Sequence, residues 1–383
     1  MRDPWNLQKR VVVLVNEAGV ISGFCTPDSL PPDVRIEHFR GEVWAAAPIL
    51  AHAHLESFDA PSSTWRRDGF SSWVEDLLAW RMHAERLDSA TSARLSLKEL
   101  EQNGCGLVLS HVAERGADGH QHDALPLVMP FTEVFAPDVD SFAFESIEKA
   151  KQMGGVALHA PYSVTPEVAR KVFSAMHGHG LVSIHLGEHE EERAYLVDGT
   201  GPMADLLARR ERPLVGGQWS SPVDWLRAMG GLRSGVLAVH GGNLSAEELQ
   251  QLHQAGVTLV FCPGTHAYFQ RPPTQYQEAG IPLPALGCDS RASNASLDPL
   301  REVALAHQQM PQPGAQAWWQ ALTEHGAKAV QRDDLGRLDS AYQAVVLRLM
   351  DCPEDALKGA LDLCNYLCSG DSIQRQVSTF ADC

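Results

Sequence analysis

Short apolar runs recur along this chain, and most of them end in a histidine, an acid or a glycine. From Pro48 onward eight can be placed: Ile49–Ala53, Gly106–His111, Leu127–Glu133, Gly155–His159, Leu181–His185, Gly235–His240, Val257–Phe261 and Pro284–Gly287. All have strand length and are bounded by turn or polar residues. Between most of them lie segments with helical periodicity, among them Ser92–Gln102, Pro166–His177 and Ser245–Ala255. The last opens with Ser245-Ala-Glu-Glu248, a capping-box pattern. Strands alternating with helices predict a parallel α/β sheet. Eight of them, with polar residues gathered at the C-terminal ends, predict a (β/α)8 TIM-type barrel.

The flanks read differently. Val11–Val15 and the following Asn-Glu-Ala-Gly-Val-Ile predict two short strands around a turn, and Val43-Trp44 predicts a third. After Glu302 the chain turns helical, then strand-like again near Leu335-Gly-Arg-Leu-Asp and through Ala344–Leu349. The tail carries Ser372-Ile-Gln-Arg-Gln-Val-Ser. We expect the early and late strands to form one discontinuous layer. Residues 1–46 and 335–383 would then be two parts of a small β domain beside a barrel at 47–334.

A chain of 383 residues accommodates a large barrel and an accessory layer, and its 44% apolar content fits a globular enzyme. The formal charge of −17 argues against nucleic acid as a partner, because phosphate binding needs clustered Lys and Arg. No run is long enough to cross a bilayer, so no membrane partner is expected. The N-terminal Met-Arg-Asp-Pro-Trp-Asn lacks the apolar core of a signal peptide. Eight scattered cysteines without a CxxC read as reduced thiols, Cys364 and Cys368 being spaced for one helix turn. Together these features predict a cytoplasmic protein.

The candidate chemistry sits at the strand ends. His52 and His54 are two apart, so on a strand both imidazoles share one face. An HxH pair alone is weak evidence, since histidine often fills satisfied core positions. However, Ser-Ile-His185-Leu-Gly-Glu188, Leu-Ala-Val-His240-Gly-Gly and Leu-Gly-Cys-Asp289-Ser repeat the same form of apolar run followed by a metal-competent or proton-transferring residue. Several strand ends bearing such residues predict a metal-dependent hydrolase.

With these motifs the whole chain resembles the amidohydrolase superfamily, in its branch of aminopurine, nucleoside and triazine deaminases and chlorohydrolases. The resemblance rests on His52-Ala-His54-Leu-Glu56, His159-Ala-Pro-Tyr-Ser163, His185-Leu-Gly-Glu188, Val239-His240-Gly, Cys262-Pro263 and Gly287-Cys-Asp289-Ser-Arg-Ala-Ser-Asn294. The downstream Gly326-Ala-Lys-Ala and Leu335-Gly-Arg-Leu-Asp are similar as well. Binuclear relatives carry a bridging lysine at the end of the fourth strand, where this chain reads Val156-Ala-Leu-His159. The resemblance therefore implies one divalent metal held by His52, His54, His185 and Asp289, with zinc as the default and iron or manganese as alternatives. It also implies that Glu188 protonates a ring nitrogen, that His240 orients the attacking water, and that Asp289 takes a proton as well as touching the metal. In isolation Glu188 would read as an exposed loop acid in an acidic run; its place after His185 reverses that.

The chain departs from the branch twice. Ala46-Ala47-Pro48 replaces the usual Pro-Gly before the HxH strand, and Gly264-Thr265-His266 stands where many relatives have Arg-Ser-Asn. The second change falls at the pocket. The segment Phe70-Ser-Ser-Trp73 to Trp80-Arg81 predicts an aromatic helix after the first barrel strand, whose bland reading is a lid. With His159, Tyr162, His266, Tyr268 and Phe269 it is similar to the bacterial 6-aminodeoxyfutalosine deaminases of menaquinone biosynthesis. That implies an aminopurine nucleoside substrate, contacts from His159, Tyr162, Trp73, His266 and Arg81, and a cation for a benzoate. Arg66, Arg67, Arg81, Arg271 and Arg291 are all available for the last task. The alternatives are deaminases of S-adenosylhomocysteine, methylthioadenosine, guanine or cytosine, and triazine hydrolases. A metal-stabilised barrel without catalysis is a further reading, disfavoured because every catalytic position is filled. Relatives of this branch are often dimers, so a homodimer is the assembly implied.

Overall fold

The computed structural model describes residues 11–39, 42–113, 124–135, 144–358, 360–369 and 374–379. Its strands are β1 (Val12–Val15), β2 (Ile21–Cys25), β3 (Glu42–Ala46), β4 (Ile49–His54), β5 (Leu107–Val112), β6 (Leu127–Val134), β7 (Gly155–Leu158) and β8 (Leu181–Leu186). They continue with β9 (Val236–His240), β10 (Thr258–Phe261), β11 (Ala285–Leu286), β12 (Asp289–Ser290), β13 (Val345–Met350) and β14 (Gln374–Thr379). The eight expected barrel strands are all present, each limit within one residue of its predicted place.

From β4 to β11 the strands pair in parallel with their sequence neighbours. The short β12 pairs with β4, Asp289 beside Ala53 and Ser290 beside His54. The eighth barrel strand is therefore broken into β11 and β12, and its second half closes the ring. Gly287 lies at the break, where a Cβ would fall 2.9 Å from the His52 Cβ and 3.1 Å from the Cys262 Sγ. Only glycine allows so close an approach.

Alternate barrel residues fill the interior. Ile49, Ala51, Leu107, Leu109, Phe131, Ala157, Leu237, Val239 and Val260 pack into one inner cluster. Their neighbours Leu50, Val108, Val156, Leu158, Val182, Ile184 and Ala238 join the larger cluster beneath the helices. The predicted capping box is formed, with Ser245 and Glu248 bonding reciprocally at the start of Ala246–Gln254.

The accessory strands differ from expectation in one respect. They make two small sheets, the β1–β2 hairpin and an antiparallel β14-β13-β3 sheet, where one layer was anticipated. A lone bridge between Val20 and Gln343 links the hairpin to the C-terminal segment. Part of the predicted tail strand, Ser372 and Ile373, lies outside the described residues, as do residues 1–10. Among the described residues no helix is long and apolar enough to cross a membrane.

Candidate active site

Alternation alone would turn His52 and His54 the wrong way. Ile49 and Ala51 face the barrel interior, so the even-numbered residues of an undistorted strand would face the helices. The pairing register shifts between Leu50 and Ala53, where β4 advances three residues while β5 advances two. This bulge exchanges the two faces. Ala53 consequently packs outward and both imidazoles reach the inner rim. His240 shows a related device. It follows the outward-packing Val236 and Ala238, but a φ of 76° turns it inward. Asp289 also sits at positive φ, 55°. Non-glycine residues in this left-handed region are strained, and such strain persists where the surrounding structure requires it.

The four residues expected to hold a metal converge. His54 Nε2 is 3.2 Å from His185 Nε2, which is 3.4 Å from His52 Nε2. Asp289 Oδ1 lies 3.7 Å from His52 Nε2 and 3.8 Å from His54 Nε2. Four donors about 2 Å from a tetrahedral ion stand roughly 3.3 Å apart, so this donor set fits a cation such as zinc. His185 Nδ1 is 2.7 Å from the His159 carbonyl, which fixes the proton there and leaves Nε2 free to accept. His52 Nδ1 is buried without a partner among the described residues. Burial is the main cause holding the His54 and His185 imidazoles well below their ordinary value, hence neutral and able to ligate.

Beneath these donors lies a polar network that sequence reasoning missed. His111, one residue before the end of β5, is buried, with its ring 4.5 Å from that of His52. Its Nε2 is 2.8 Å from the Ser183 hydroxyl and its Nδ1 is 3.3 Å from Glu133 Oε1. Glu133 Oε2 in turn lies 3.9 Å from His54 Nδ1. With both nitrogens so engaged, His111 supports the donor set from behind. The available signal was the polar residue closing an apolar run, the same signal that found His185. On the other side, the hydroxyls of Thr265 and Ser293 donate to Asp289 Oδ2 at 2.8 and 2.9 Å.

Glu188 stands beside the cluster in the loop after β8. Its backbone N–H donates to Glu192 at 2.8 Å, and that of Gly187 does so at 3.1 Å, which ties the loop down. Glu188 Oε2 is 3.8 Å from His240 Nε2. Burial pushes the Glu188 carboxyl up to about 7, against the opposing pull of Arg271. Burial would also raise Asp289, but the imidazoles of His52, His240 and His54 beside it outweigh that and hold its carboxyl well below the usual carboxylate range. The site thus pairs one carboxylate with one carboxyl poised near neutrality, a division suited to acid–base chemistry.

The outer residues separate into two groups. His159 and Tyr162 lie at the rim, rings 5.8 Å apart, and the half-exposed Phe135 ring lies 4.1 Å from that of His159, tilted by 31°. Arg81 ends the Phe70–Arg81 helix, and its charge acts on Glu56, Glu133 and His159. Trp73 and His266, by contrast, have their polar atoms engaged in the fold. The Trp73 indole donates to the Ala292 carbonyl at 3.2 Å, and His266 Nε2 to that of Pro272 at 2.7 Å.

The chain is 25% identical over 348 residues to an aminodeoxyfutalosine deaminase of Deinococcus radiodurans, covering 83% of this chain and 81% of the relative. Its fold is similar to the crystal structure of Helicobacter pylori aminofutalosine deaminase in complex with methylthio-coformycin, with a TM-score of 0.79 at 19% identity over 96% of this chain and 94% of that one. A zinc-bound adenosine deaminase from Xanthomonas campestris gives a TM-score of 0.75, also at 19% identity, over 97% and 86%. The model of the amidohydrolase family matches residues 49–349, from the start of β4 into β13. On that match, the closed parallel barrel and the histidine-rich rim, the chain belongs to the amidohydrolase family and is a hydrolase acting on a C–N bond.

Proposed function

We propose that this protein is a hydrolytic deaminase converting a 6-aminopurine nucleoside to the 6-oxo product with release of ammonia. The observation that carries the reading is Glu188, whose Oε2 points at His240 on the same rim as the His52, His54, His185 and Asp289 donors. Those four would hold one divalent cation, with zinc first and iron or manganese also suited to the donors. When bound, the cation supplies the Lewis acidity that brings the pKa of a water towards neutrality. Asp289 would accept a proton from the attacking water, and His240 would orient that water and steady charge developing on oxygen. Glu188 would deliver a proton to the ring nitrogen beside the attacked carbon, the proton held by Asp289 would pass to the amino group so that it leaves as ammonia, and the remaining hydroxyl proton would restore Glu188.

We further propose 6-aminodeoxyfutalosine as the substrate, which would place the enzyme in menaquinone synthesis. The arginines support this reading by elimination. Arg66 is paired with Asp76, Arg67 lies over the Tyr268 ring, Arg271 pairs with Glu188 and Arg291 with Glu99. The Arg81 side chain makes no hydrogen bond or ion pair among the described residues. An exposed guanidinium whose charge reaches His159 suits an aromatic carboxylate at the far end of a nucleoside. His159 and Tyr162 would line the path to it. The name of the Deinococcus relative agrees with this choice, while other relatives named 5-methylthioadenosine/S-adenosylhomocysteine deaminase define the main alternative. The seven described cysteines are all free, which supports a reducing, cytoplasmic setting.

The test is ammonia release by zinc-loaded protein from 6-aminodeoxyfutalosine, adenosine, S-adenosylhomocysteine, methylthioadenosine, guanine and cytosine. Preference for the first, lost selectively in R81M, supports the substrate; preference for another amine overturns it and keeps the chemistry. E188Q should retain its zinc and lose turnover. If E188Q turned over as fast as the parent, the proton-transfer role of Glu188 would be wrong.

A further inference from the structure

Among the described residues, Arg271 is the arginine buried against the reacting groups. Its side chain and that of Glu188 are 7% and 8% exposed, and its Nη2 donates to Glu188 Oε1 at 3.1 Å. The guanidinium also lies 4.6 Å over the Phe269 ring. Its Nε is buried without a partner among the described residues. The backbone holds it in place. Gln270 takes a φ of 50°, the Arg271 N–H donates to the His266 carbonyl at 3.1 Å, and His266 reaches round to Pro272. Phe269 is itself wedged edge-on against Trp73 and Phe70, at 5.3 and 5.8 Å.

A buried ion pair is a poor device for stability alone, since removing both charges from water offsets most of their attraction. It is a good device for fixing a geometry. A glutamate carboxylate has two equivalent oxygens and several soft torsions, and a planar guanidinium clamped on an aromatic face can hold one oxygen still. The other oxygen, Oε2, is then the one turned towards His240.

We infer that Arg271 is a positioning residue for the reaction, anchoring Oε1 of Glu188 so that Oε2 is presented to the reacting centre. This rests on the proton-transfer reading of Glu188. The strained turn at Gln270 and the orphaned Nε are the costs of placing a rigid fork at that spot, and a lysine would supply the charge without the fork.

The experiment compares R271M, R271K and E188Q in the zinc-loaded protein, with 6-aminodeoxyfutalosine, or adenosine if that is the amine turned over. R271M should lose about a hundredfold in kcat, at the lower end of what acid–base placement contributes, with KM within about threefold and zinc content unchanged. R271K should lose at least about tenfold, and in a further variant, R271A, millimolar guanidinium should restore part of the lost turnover. A silent E188Q beside an R271M with parental kcat overturns the role of Arg271 alone. A rise in KM with kcat preserved also overturns it, because that is the mark of substrate binding. If E188Q itself turns over freely, the underlying reading fails and this one with it. Should R271M not fold, R271K decides the question, and full kcat there is the overturning result.

Discussion

The Thr265 hydroxyl donates to Oδ2 of Asp289 at 2.8 Å, and this leaves Oδ1 of the same carboxylate to face His52 and His54. Gly264, next to Thr265, has its N–H held by the buried Glu302 at 2.8 Å, so the donating hydroxyl sits on a fixed loop. Partners of this kind orient ligands, and their loss typically costs 10- to 100-fold in metal affinity. T265V should weaken zinc binding by roughly tenfold, Ser293 retaining half of the restraint, while T265S should stay near the parent. Competition titration against a chelator measures this directly, and equal affinity in T265V would sink the prediction.

His111 fills the barrel interior below the donor set, bonded to Ser183 and Glu133. Replacing it with phenylalanine keeps the ring and strips both partners. Two buried polar groups would then lack a partner, a loss on the order of 2–4 kcal/mol. Urea unfolding of chelator-treated H111F should show a correspondingly lower midpoint with an unchanged slope. A midpoint equal to that of the parent would mean that the network is not structural.

The helix covering the site is capped from a distant part of the chain. Glu191 accepts from the backbone N–H groups of Phe70 and Ser71 at 2.8 and 3.0 Å, and from the Ser71 hydroxyl. Gly69, at the N-cap, offers no side chain for that purpose. E191A should cost about 1–2 kcal/mol locally, visible as faster amide hydrogen exchange in the first turn after Gly69. It should also raise KM more than it lowers kcat. Unchanged exchange there would refute the capping role.

Acid should destabilise the fold through His266. Burial, followed by the nearby Arg271, lowers its imidazole to about 4. The unfolded chain therefore takes up the proton first as pH falls from about 6.5. The stabilisation is complete above that value and disappears towards pH 4, up to about 3 kcal/mol in all. H266Q cannot titrate, and its amide can still donate to the Pro272 carbonyl. Scanning calorimetry of chelator-treated proteins should show the gap between parent and H266Q narrowing from about pH 7 to about pH 4.5. A constant gap would rule the mechanism out.

Consecutive residues carried much of this protein openly. Apolar runs, caps and turn residues act within a few positions, so all eight barrel strands and the Ser245 capping box could be read from the chain alone. The residues at the strand ends were legible for the same reason, since His52, His54, His185, His240 and Asp289 each interrupt an apolar pattern. Tertiary structure decided which way they point. The bulge in β4 reverses the faces of His52 and His54, and the turned backbone at His240 brings that ring in against strict alternation. Neither is encoded by periodicity, because each depends on register against a neighbouring strand. The same holds for pairing. Glu191 reaches Phe70 across 121 positions and Arg271 reaches Glu188 across 83. No local pattern distinguishes those two arrangements from free surface charges, and only the closed barrel, by bringing distant strand ends to one rim, gave Arg271 its carboxylate while leaving the Arg81 side chain unpaired among the described residues.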